Sequence, residues 1–292
     1  MAKHTVAGAK RCLVIGAGGF LGSSLRRDLK SDHALELVAF DSNGVDLRKP
    51  LQVKEALASI NPDIIINVGG ISSPASDDVF NLYQVNAFGH LHLLQAASVL
   101  ERKPKVILAS SAQLYGPDLV TKAEEQAALN PVSHYGLSKM LAEKYCELFA
   151  DGVQTVTARI YNAIGRGQSS NFLLPKVVAA FKRRAPTLEV GSLNVERDYV
   201  DTRDLTAMWR LVALSDKSPT VVNFSNGEAV SLQHILFRLE EITGHHLELL
   251  SKSSNFRKND IPYQCGDNSA IRNLGYVRRY SLDETLTWML DE

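Results

Sequence analysis

The sequence has few cysteines and no apolar run long enough to cross a membrane. Its 292 residues include only 3 cysteines, Cys12, Cys146 and Cys265, which lie far apart. An odd number at such spacing does not make a disulfide framework and predicts free thiols in a reducing compartment, the cytoplasm. Because no apolar stretch reaches the roughly 18 residues of a membrane-spanning helix, we expect neither a signal peptide nor an anchor.

The sequence also lacks an excess of charge of either sign. Its 32 basic side chains equal its 32 acidic ones and are scattered along the chain, so nothing favours nucleic acid or an anionic membrane surface as a partner. The histidine pairs His90/His92 and His245/His246 lack the neighbours of a metal site, and we expect no metal. A 45% hydrophobic content provides for a sizeable core in one large or two closely joined domains.

The hydrophobic pattern of the first 160 residues alternates between strand and helix. Strands are predicted over residues 11–15, 35–40, 64–67, 106–109 and 155–160. Helices are predicted between them, over residues 20–31, 51–59, 79–100 and 135–150. This alternation predicts an α/β protein with a doubly wound parallel sheet, the Rossmann fold.

A glycine-rich segment joins the first predicted strand to the first predicted helix. Gly16, Gly19 and Gly22 are spaced three residues apart, and Gly18 forms a Gly-x-Gly pattern with Gly16. Residues without Cβ let the backbone turn tightly and approach a pyrophosphate, which also faces the free amides of the helix start. We therefore expect a dinucleotide to bind here; a simple glycine-rich turn is the alternative.

Asp41 ends the second predicted strand, 19 residues after Gly22. A carboxylate in this place accepts hydrogen bonds from the adenosine ribose and repels a 2′-phosphate, which favours NAD(H) over NADP(H). An ordinary turn over residues 41–44 is the alternative.

Beyond about residue 162 the alternation breaks up. Helices are predicted over residues 171–184, 204–215, 231–243 and 282–290, and a strand over residues 221–224. We expect a dinucleotide-binding domain of residues 1–162 plus about 197–226. A smaller C-terminal region, about 163–196 and 227–292, is expected to bind the substrate.

Tyr135 and Lys139 lie four residues apart at the start of a predicted helix and therefore share one face. A nearby ammonium favours the phenolate and lowers the pKa of a tyrosine from about 10, as a general acid or base for a hydroxyl group requires. A simple surface pair is the alternative. The pair follows the strand that ends at Ser110 and Ser111, and reactive groups gather beyond the carboxyl ends of strands in a doubly wound sheet.

Several segments together resemble the extended short-chain dehydrogenases/reductases of the NAD-dependent epimerase/dehydratase family, which modify nucleotide sugars. They are residues 16–22, 109–116 and 159–165 and the Tyr135/Lys139 pair. Residues 165–172, 188–193 and 197–199 are most similar to the reductases of GDP-4-keto-6-deoxymannose and their dehydratase relatives. The resemblance covers nearly the whole chain. It implies an NAD(P)-dependent oxidoreductase that acts on a GDP-linked sugar and forms a homodimer.

The resemblance also implies a role for each matching residue. Tyr135 donates a proton to the sugar keto oxygen, Ser111 hydrogen-bonds that oxygen, Lys139 holds the nicotinamide ribose, and Asn86 is an active-site asparagine. The implied cofactor contacts are Gly16, Gly19, Phe20, Leu21, Gly22, Asp41, Asp46, Leu47, Val68, Gly69, Gly70, Tyr135 and Lys139. The implied substrate contacts are Ser111, Asn162, Phe172, Leu173, Val190, Arg197 and Arg257.

The residue types alone leave other roles open for these substrate positions. Arg197 and Arg257 are suited to grip a phosphate, and a surface ion pair is the alternative. Asn162 is equally a turn residue, and Phe172 and Val190 are equally core residues. The same holds for Asn86, as a hydrogen-bonding residue inside a helix.

Gln113 marks a departure from the dehydratase relatives, which carry a glutamate two residues after the active-site serine. An amide does not remove a proton next to a ketone, so 4,6-dehydration is not expected. The segment between residues 41 and 51 is short, as in the related dTDP-sugar reductases, and leaves NADP(H) open as the cofactor. Three hypotheses follow: a reductase, a 4-epimerase that keeps its NAD bound, and a non-catalytic dinucleotide-binding sensor or scaffold.

Overall fold

The computed structural model describes residues 8–72, 78–252 and 261–292, and the chain divides into two compact units. The first unit consists of Met1–Leu114, Pro131–Arg159 and Thr206–Val222. The second consists of Tyr115–Asn130, Ile160–Leu205 and Asn223–Glu292.

Twelve strands lie within the described residues. In chain order, β1 to β12 are Lys10–Ile15, Leu35–Phe40, Ile64–Asn67, Lys105–Ser111, Thr155–Ile160, Asn162–Ile164, Thr187–Val190, Glu196–Asp201, Val221–Phe224, Ala229–Ser231, Glu248–Ser251 and Tyr263–Gln264. The six strands predicted from the sequence are confirmed as β1 to β5 and β9. The hydrophobic pattern did not predict the other six, which are β8, of six residues, and five strands of at most four residues.

Ten α-helices occur in the same part of the chain. In chain order, α1 to α10 are Phe20–Leu29, Pro50–Ile60, Val79–Tyr83, Gly89–Ser98, His134–Leu148, Leu173–Lys182, Thr202–Leu214, Leu232–Thr243, Ser269–Asn273 and Leu282–Leu290. All predicted helices are present within a few residues of their expected ends, except that the single helix expected over residues 79–100 is interrupted. A π-helical turn over Gln84–Phe88 separates α3 from α4. No helix of the described chain is long and apolar enough to span a membrane.

The main sheet has the strand order β2-β1-β3-β4-β5-β9, and β1 to β4 pair in parallel. Leu13 of β1 lies in register with Ile65 of β3, which in turn pairs with Val106 of β4. β3 and β4 are buried along their whole length, because a parallel sheet is covered on both faces. The predicted doubly wound fold is confirmed.

The first unit has its own apolar core. Leu13, Ile65 and Leu108 of the sheet pack with Leu93 of α4 and Ala142 of α5 in one buried cluster. In the same unit, α4 packs against both α2 and α5. Helix α5, which carries Lys139, and helix α4, which follows the π-helical turn with Asn86, are thereby fixed on the sheet.

The second unit is organised around β8. This strand pairs in parallel with β6 and β12 and antiparallel with β10, while β7 pairs with β11. A second apolar cluster includes Val178 of α6, Tyr199 of β8, Ile235 of α8 and Leu286 of α10.

The two units differ from the predicted domain boundaries at residues 115–130, 160–162, 197–205 and 223–226. Residues 115–130 belong to the second unit because Ala123 pairs with Gly266 and the Glu125 carboxylate accepts the Asn223 N–H at 2.9 Å. Residues 197–201 belong there because they lie in β8, at the centre of the smaller sheet. The functional roles expected of the two parts stay predictions.

Candidate active site

The glycine loop between β1 and α1 leaves no room for side chains. Gly16 has a φ of 85°, and a Cβ there would stand 2.5 Å from the Cα of Gly69. A Cβ on Gly22 would stand 2.0 Å from the carbonyl oxygen of Gly16. Both positions therefore require glycine, as expected where a backbone approaches a pyrophosphate closely.

The start of α1 offers backbone amides to an anion. Gly19 precedes Phe20, the first helical residue, and within the described residues no side chain caps this helix start and no acidic residue lies in its first turn. The first amides of a helix have no partner inside it, and the helix dipole favours a negative charge beside them. The loop and the first turn, including Leu21, thus fit the pyrophosphate of a dinucleotide.

Asp41 lies beside this loop and also begins a turn over residues 41–44, the alternative role considered for it from the sequence. A Cβ on Gly18 would stand 3.1 Å from the Cβ of Asp41, so the carboxylate borders the glycine loop. Its Oδ1 accepts the N–H groups of Asn43 at 3.0 Å and Gly44 at 3.1 Å. The geometry therefore combines a turn with a carboxylate placed beside the predicted cofactor cradle.

The segment between Asp41 and α2 contains two more predicted cofactor contacts. The Asp46 carboxylate is held by Arg48, whose Nη2 donates to Oδ2 at 2.8 Å, and this bond lowers the pKa of Asp46. Leu47 is buried, and its carbonyl oxygen lies 2.8 Å from Nδ1 of His92. Their contact with a cofactor stays a prediction.

The loop after β3 adjoins the glycine loop. The Val68 N–H donates to the Ile15 carbonyl oxygen at 3.0 Å, and the Gly69 N–H donates to Oδ1 of Asn67 at 3.1 Å. The close approach of Gly69 to Gly16 puts these two predicted cofactor segments in direct contact.

Gly70 places the same loop beside two predicted catalytic side chains. A Cβ on Gly70 would stand 2.9 Å from Oδ1 of Asn86 and 3.3 Å from Nζ of Lys139. Asn86 is only 2% exposed. Any larger residue at position 70 would press on the amide and on the amine.

Asn86 owes its position to the π-helical turn before α4. Its Oδ1 accepts the Ile71 N–H at 2.8 Å, and its Nδ2 donates to the Ile71 carbonyl oxygen at 3.0 Å and to the Ser138 hydroxyl at 3.1 Å. π-helical turns inside longer helices occur frequently at functional sites. Here the turn interrupts the predicted helix and fixes the amide between the loop after β3 and α5.

The end of β4 holds the start of α5. Ser111 hydrogen-bonds the Tyr135 side chain, and the carbonyl oxygen of Ala109 accepts from Nζ of Lys139 at 2.8 Å. Tyr135 is 9% exposed and Lys139 6%. Ser111, Tyr135 and Lys139, expected together from the sequence, therefore lie together at the carboxyl end of a central strand.

The electrostatics of Tyr135 differ from the sequence-based expectation. Burial raises its pKa, although the hydrogen bond from Ser111 acts in the opposite direction. The expected lowering is wrong for the protein chain itself, because loss of solvent around a phenolate outweighs the neighbouring groups. A raised pKa keeps the phenol protonated at neutral pH, as a proton donor requires.

Burial lowers the pKa of Lys139 to about 8, and the Glu143 carboxylate raises it in part. The nearby imidazole of His90 has a pKa of about 3, lowered by burial and by the charge of Lys139. His90 is therefore neutral at physiological pH, and Lys139 carries the positive charge beside Tyr135.

Glu143 and Arg159 form a buried ion pair at this site, and the sequence analysis assigned no role to either residue. Nη2 of Arg159 donates to Oε2 of Glu143 at 2.8 Å, and Nε donates to Oε1 at 3.1 Å. The position of Glu143 had a signal, since Tyr135, Lys139 and Glu143 follow each other at four-residue spacing on one helix face. The sequence held no signal that Arg159, on β5, would pair with Glu143.

In the second unit, Asn162 and Arg197 lie on neighbouring strands. Asn162 of β6 donates through Nδ2 to the Asp198 carbonyl oxygen at 3.3 Å and to Oε1 of Gln264 at 3.4 Å. Arg197 of β8 donates through Nη1 to the Pro262 carbonyl oxygen at 3.0 Å. Gln264 pairs in register with Arg197, so these three residues occupy adjoining positions of one small sheet.

The remaining predicted substrate contacts are distributed over α6 and β7. Phe172 directly precedes α6, Leu173 is the first residue of that helix, and both are half-buried. Val190, the last residue of β7, is buried. Arg257 lies outside the described residues, so its role stays a prediction.

The sequence profile of the NAD dependent epimerase/dehydratase family matches residues 12–224. The chain belongs to this family. The match spans β1 to β9 and includes the glycine loop, Ser111, Tyr135 and Lys139. The enzyme class expected from these motifs, an NAD(P)-dependent enzyme of the extended short-chain dehydrogenases/reductases that modifies nucleotide sugars, is confirmed.

Individual members of the family extend the comparison to nearly the full chain. GDP-6-deoxy-D-talose 4-dehydrogenase of Aggregatibacter actinomycetemcomitans is 30% identical over 90% of both chains. GDP-6-deoxy-D-mannose reductase of Pseudomonas aeruginosa is 25% identical over 97% of both chains. The crystal structure of Thermus thermophilus UDP-glucose 4-epimerase in complex with NAD is 25% identical, with a TM-score of 0.85 over 96% of this chain and 98% of that one.

Proposed function

We propose that this protein reduces the 4-keto group of a GDP-linked 4-keto-6-deoxyhexose. The observation that carries the proposal is the buried set of Ser111, Tyr135 and Lys139, in which a protonated phenol is hydrogen-bonded to a serine hydroxyl beside a lysine. A site built only to sense a dinucleotide would need the glycine loop but no proton donor such as Tyr135 with Ser111 beside it.

The residues have distinct tasks in this reaction. A bound NAD(P)H supplies the hydride that carbon 4 of the sugar receives. Tyr135 donates its phenolic proton to the oxygen, so that the carbonyl becomes a secondary alcohol. The Ser111 hydroxyl hydrogen-bonds the same oxygen, and the Lys139 ammonium holds the nicotinamide ribose and stabilises the phenolate left by proton transfer.

The names of two relatives support reduction at carbon 4 and a GDP-linked substrate. A 4-dehydrogenase of GDP-6-deoxy-D-talose forms a 4-ketone, and the reverse of that reaction reduces it. The other relative is a GDP-6-deoxy-D-mannose reductase. Talose and mannose differ in configuration at carbon 4, so product analysis decides which face of the ketone receives the hydride.

Gln113 supports reduction over dehydration. Its backbone N–H donates to the Ser111 Oγ at 3.2 Å, which places the residue next to the reacting groups. An amide has no basic site that removes a proton next to the ketone. We therefore propose no 4,6-dehydratase activity.

The carboxylate of Asp41 beside the glycine loop favours NADH as the reductant, with NADPH as the second choice. The substrate contacts proposed are Asn162, Phe172, Leu173, Val190, Arg197 and Arg257, with Arg197 and Arg257 on the diphosphate. A cytoplasmic homodimer completes the proposal, and light scattering that finds only a monomer at micromolar concentration would contradict the dimer.

A 4-epimerase is the second candidate, favoured by the similarity to a UDP-glucose 4-epimerase. Such an enzyme oxidises and re-reduces the sugar at one site, so its cofactor does not turn over. NAD that remains bound through purification would favour this candidate.

The test is oxidation of NADH and of NADPH, followed by absorbance, with GDP-4-keto-6-deoxymannose and with the dTDP-linked 4-keto sugar. We expect stoichiometric oxidation with the GDP sugar and faster turnover with NADH. Oxidation with neither sugar, together with bound NAD in the purified protein, would overturn the reductase in favour of the epimerase.

A further inference from the structure

The last three residues of β4 each hold one residue of α5. The Ala109 carbonyl oxygen accepts from Lys139, Ser111 hydrogen-bonds Tyr135, and the hydroxyl between them, that of Ser110, donates to Oε1 of Glu143 at 2.5 Å. Two of these three contacts belong to the predicted catalytic set. The third fixes a buried carboxylate one helical turn beyond Lys139.

This carboxylate has a firmly fixed orientation. The side chains of Glu143 and Arg159 are 5% and 6% exposed, and the guanidinium grips both carboxylate oxygens. A forked arginine–carboxylate pair combines strong hydrogen bonds with a defined geometry. Removal of either partner would leave the other as an uncompensated buried charge.

Among the described residues, the Glu143 carboxylate is the negative charge that acts on Lys139. On the same helix lies Tyr135, whose raised pKa keeps it neutral. His90 lies on α4. Its Nδ1 is 3.2 Å from the side-chain amide nitrogen of Asn67, and its Nε2 is 3.2 Å from Sγ of Cys146. Because the Asn67 Oδ1 accepts the Gly69 N–H, the amide nitrogen faces His90, whose proton therefore lies on Nε2. The ring is neutral, as is the Cys146 thiol, since burial raises its pKa to about 12.

We infer that Glu143, held by Arg159 and Ser110, is a positioning residue that keeps the buried Lys139 amine protonated. Arg159 acts against it, because the guanidinium takes up part of the carboxylate charge. The pKa of Lys139 therefore depends on both partners: Glu143 raises it, and Arg159 reduces the size of that increase. The importance of that charge for turnover rests on the proposed function, whereas the charge itself does not.

The inference predicts opposite effects for the two partners. Glu143→Gln keeps the shape of the side chain and removes the negative charge, so Lys139 should lose its proton at lower pH. Arg159→Met frees the carboxylate from its competing partner, so Lys139 should keep its proton to higher pH. A pair that only joined β5 to α5 would have no reason to move the lysine titration in two directions.

The titration is measured directly on protein labelled with [6-13C]lysine, from the pH dependence of the Lys139 Cε resonance. The resonance is identified by its disappearance in Lys139→Arg. We expect the midpoint to fall by about one pH unit or more in Glu143→Gln and to rise in Arg159→Met. Glu147→Gln is the matched control, since this exposed residue of the same helix pairs with Lys144, and its midpoint should stay within about 0.3 unit of wild type.

Either single change leaves a buried charge without its partner, so the double variant Glu143→Gln/Arg159→Gln provides a second test. It replaces the ion pair by two amides that still hydrogen-bond, and the Lys139 midpoint should again lie below that of wild type. Equal midpoints in the double variant and wild type, or shifts of the two single variants in the same direction, would overturn the inference.

The pH dependence of turnover provides a second measurement, independent of the NMR titration. If the protein is a reductase, the alkaline limb of kcat moves to lower pH in Glu143→Gln with little change in KM for the sugar. The lysine titration needs no substrate, so a protein that fails to reduce the sugar still tests the role of Glu143.

Discussion

Two of the buried carboxylates, one in each unit, are satisfied in different ways. Glu143 of the first unit is 4% exposed and Asp198 of the second is fully buried. Glu143 is paired with the guanidinium of Arg159. Asp198 instead accepts neutral donors, the Ser225 hydroxyl and the N–H groups of Asn226 and Gly227, and burial raises its pKa.

The difference separates a carboxylate that serves chemistry from one that serves the fold. Neutral donors satisfy the oxygens of Asp198 locally and tie β8 to the turn at residues 225–227. Glu143 lies one helical turn from Lys139, so its charge acts on a predicted catalytic amine. Substitution of Glu143 should therefore change turnover and its pH dependence, and substitution of Asp198 should change stability.

The largest effect is expected for Tyr135→Phe. Loss of the general acid should lower kcat by about 10²–10⁴, with NADH binding nearly unchanged because the glycine loop is intact. The matched control is Tyr276→Phe, which removes a buried hydroxyl that donates to Oδ1 of Asn226 at 3.0 Å in the second unit. Steady-state kinetics with the GDP sugar distinguish the two; unchanged turnover in Tyr135→Phe would refute its role.

Asp198→Asn should act on stability. The amide turns one of the two acceptor oxygens into a donor that faces backbone N–H groups, so we expect a loss of about 3 kcal/mol in the free energy of unfolding. Thermal unfolding measures this loss, and kcat well below Tm should stay within a few-fold of wild type. Asp216→Asn is the control, since its exposed carboxylate pairs with Lys10 at the surface. Full stability together with a strongly reduced kcat in Asp198→Asn would contradict a purely structural role for Asp198.

The wild-type protein should lose activity at alkaline pH. Burial lowers the pKa of Lys139 to about 8, so the ammonium is present below that pH and is lost above it, while Tyr135 remains protonated. We expect kcat/KM to fall by up to tenfold for each pH unit above the midpoint. A pH profile that stays level to about pH 10 would contradict a role for the Lys139 charge.

The smallest effect concerns cofactor choice. Asp41→Asn keeps Oδ1 as the acceptor of the turn and removes the negative charge, so the ratio of kcat/KM for NADH to that for NADPH should fall roughly tenfold. An unchanged ratio would mean that Asp41 serves only its turn.

The cofactor side of the candidate site could be predicted because it depends on local patterns. Gly16 and Gly22 are required by backbone approach within one loop, and Tyr135 and Lys139 share one helix face. Such patterns do not reveal how deeply a side chain is buried. For this reason the expected direction of the Tyr135 pKa shift is wrong.

The parts that escaped prediction depend on long-range contacts or on very short elements. Hydrophobic periodicity does not distinguish an ordinary helical turn from the π-helical turn at Gln84–Phe88. Arg159 finds Glu143 only because β5 and α5 pack together. Strands such as Ala229–Ser231 and Tyr263–Gln264 are too short for alternation, and their pairing with β8 decides where the second unit begins.

The transfer of deuterium from labelled cofactor tests the central claim most directly. The protein is incubated with GDP-4-keto-6-deoxymannose and NADH that carries deuterium at its transferable position, and the sugar product is analysed by NMR. We predict one deuterium at carbon 4 for each NADH oxidised, in a product with a single configuration. A sugar without deuterium at carbon 4, or NADH that remains unoxidised, would contradict the proposed reduction.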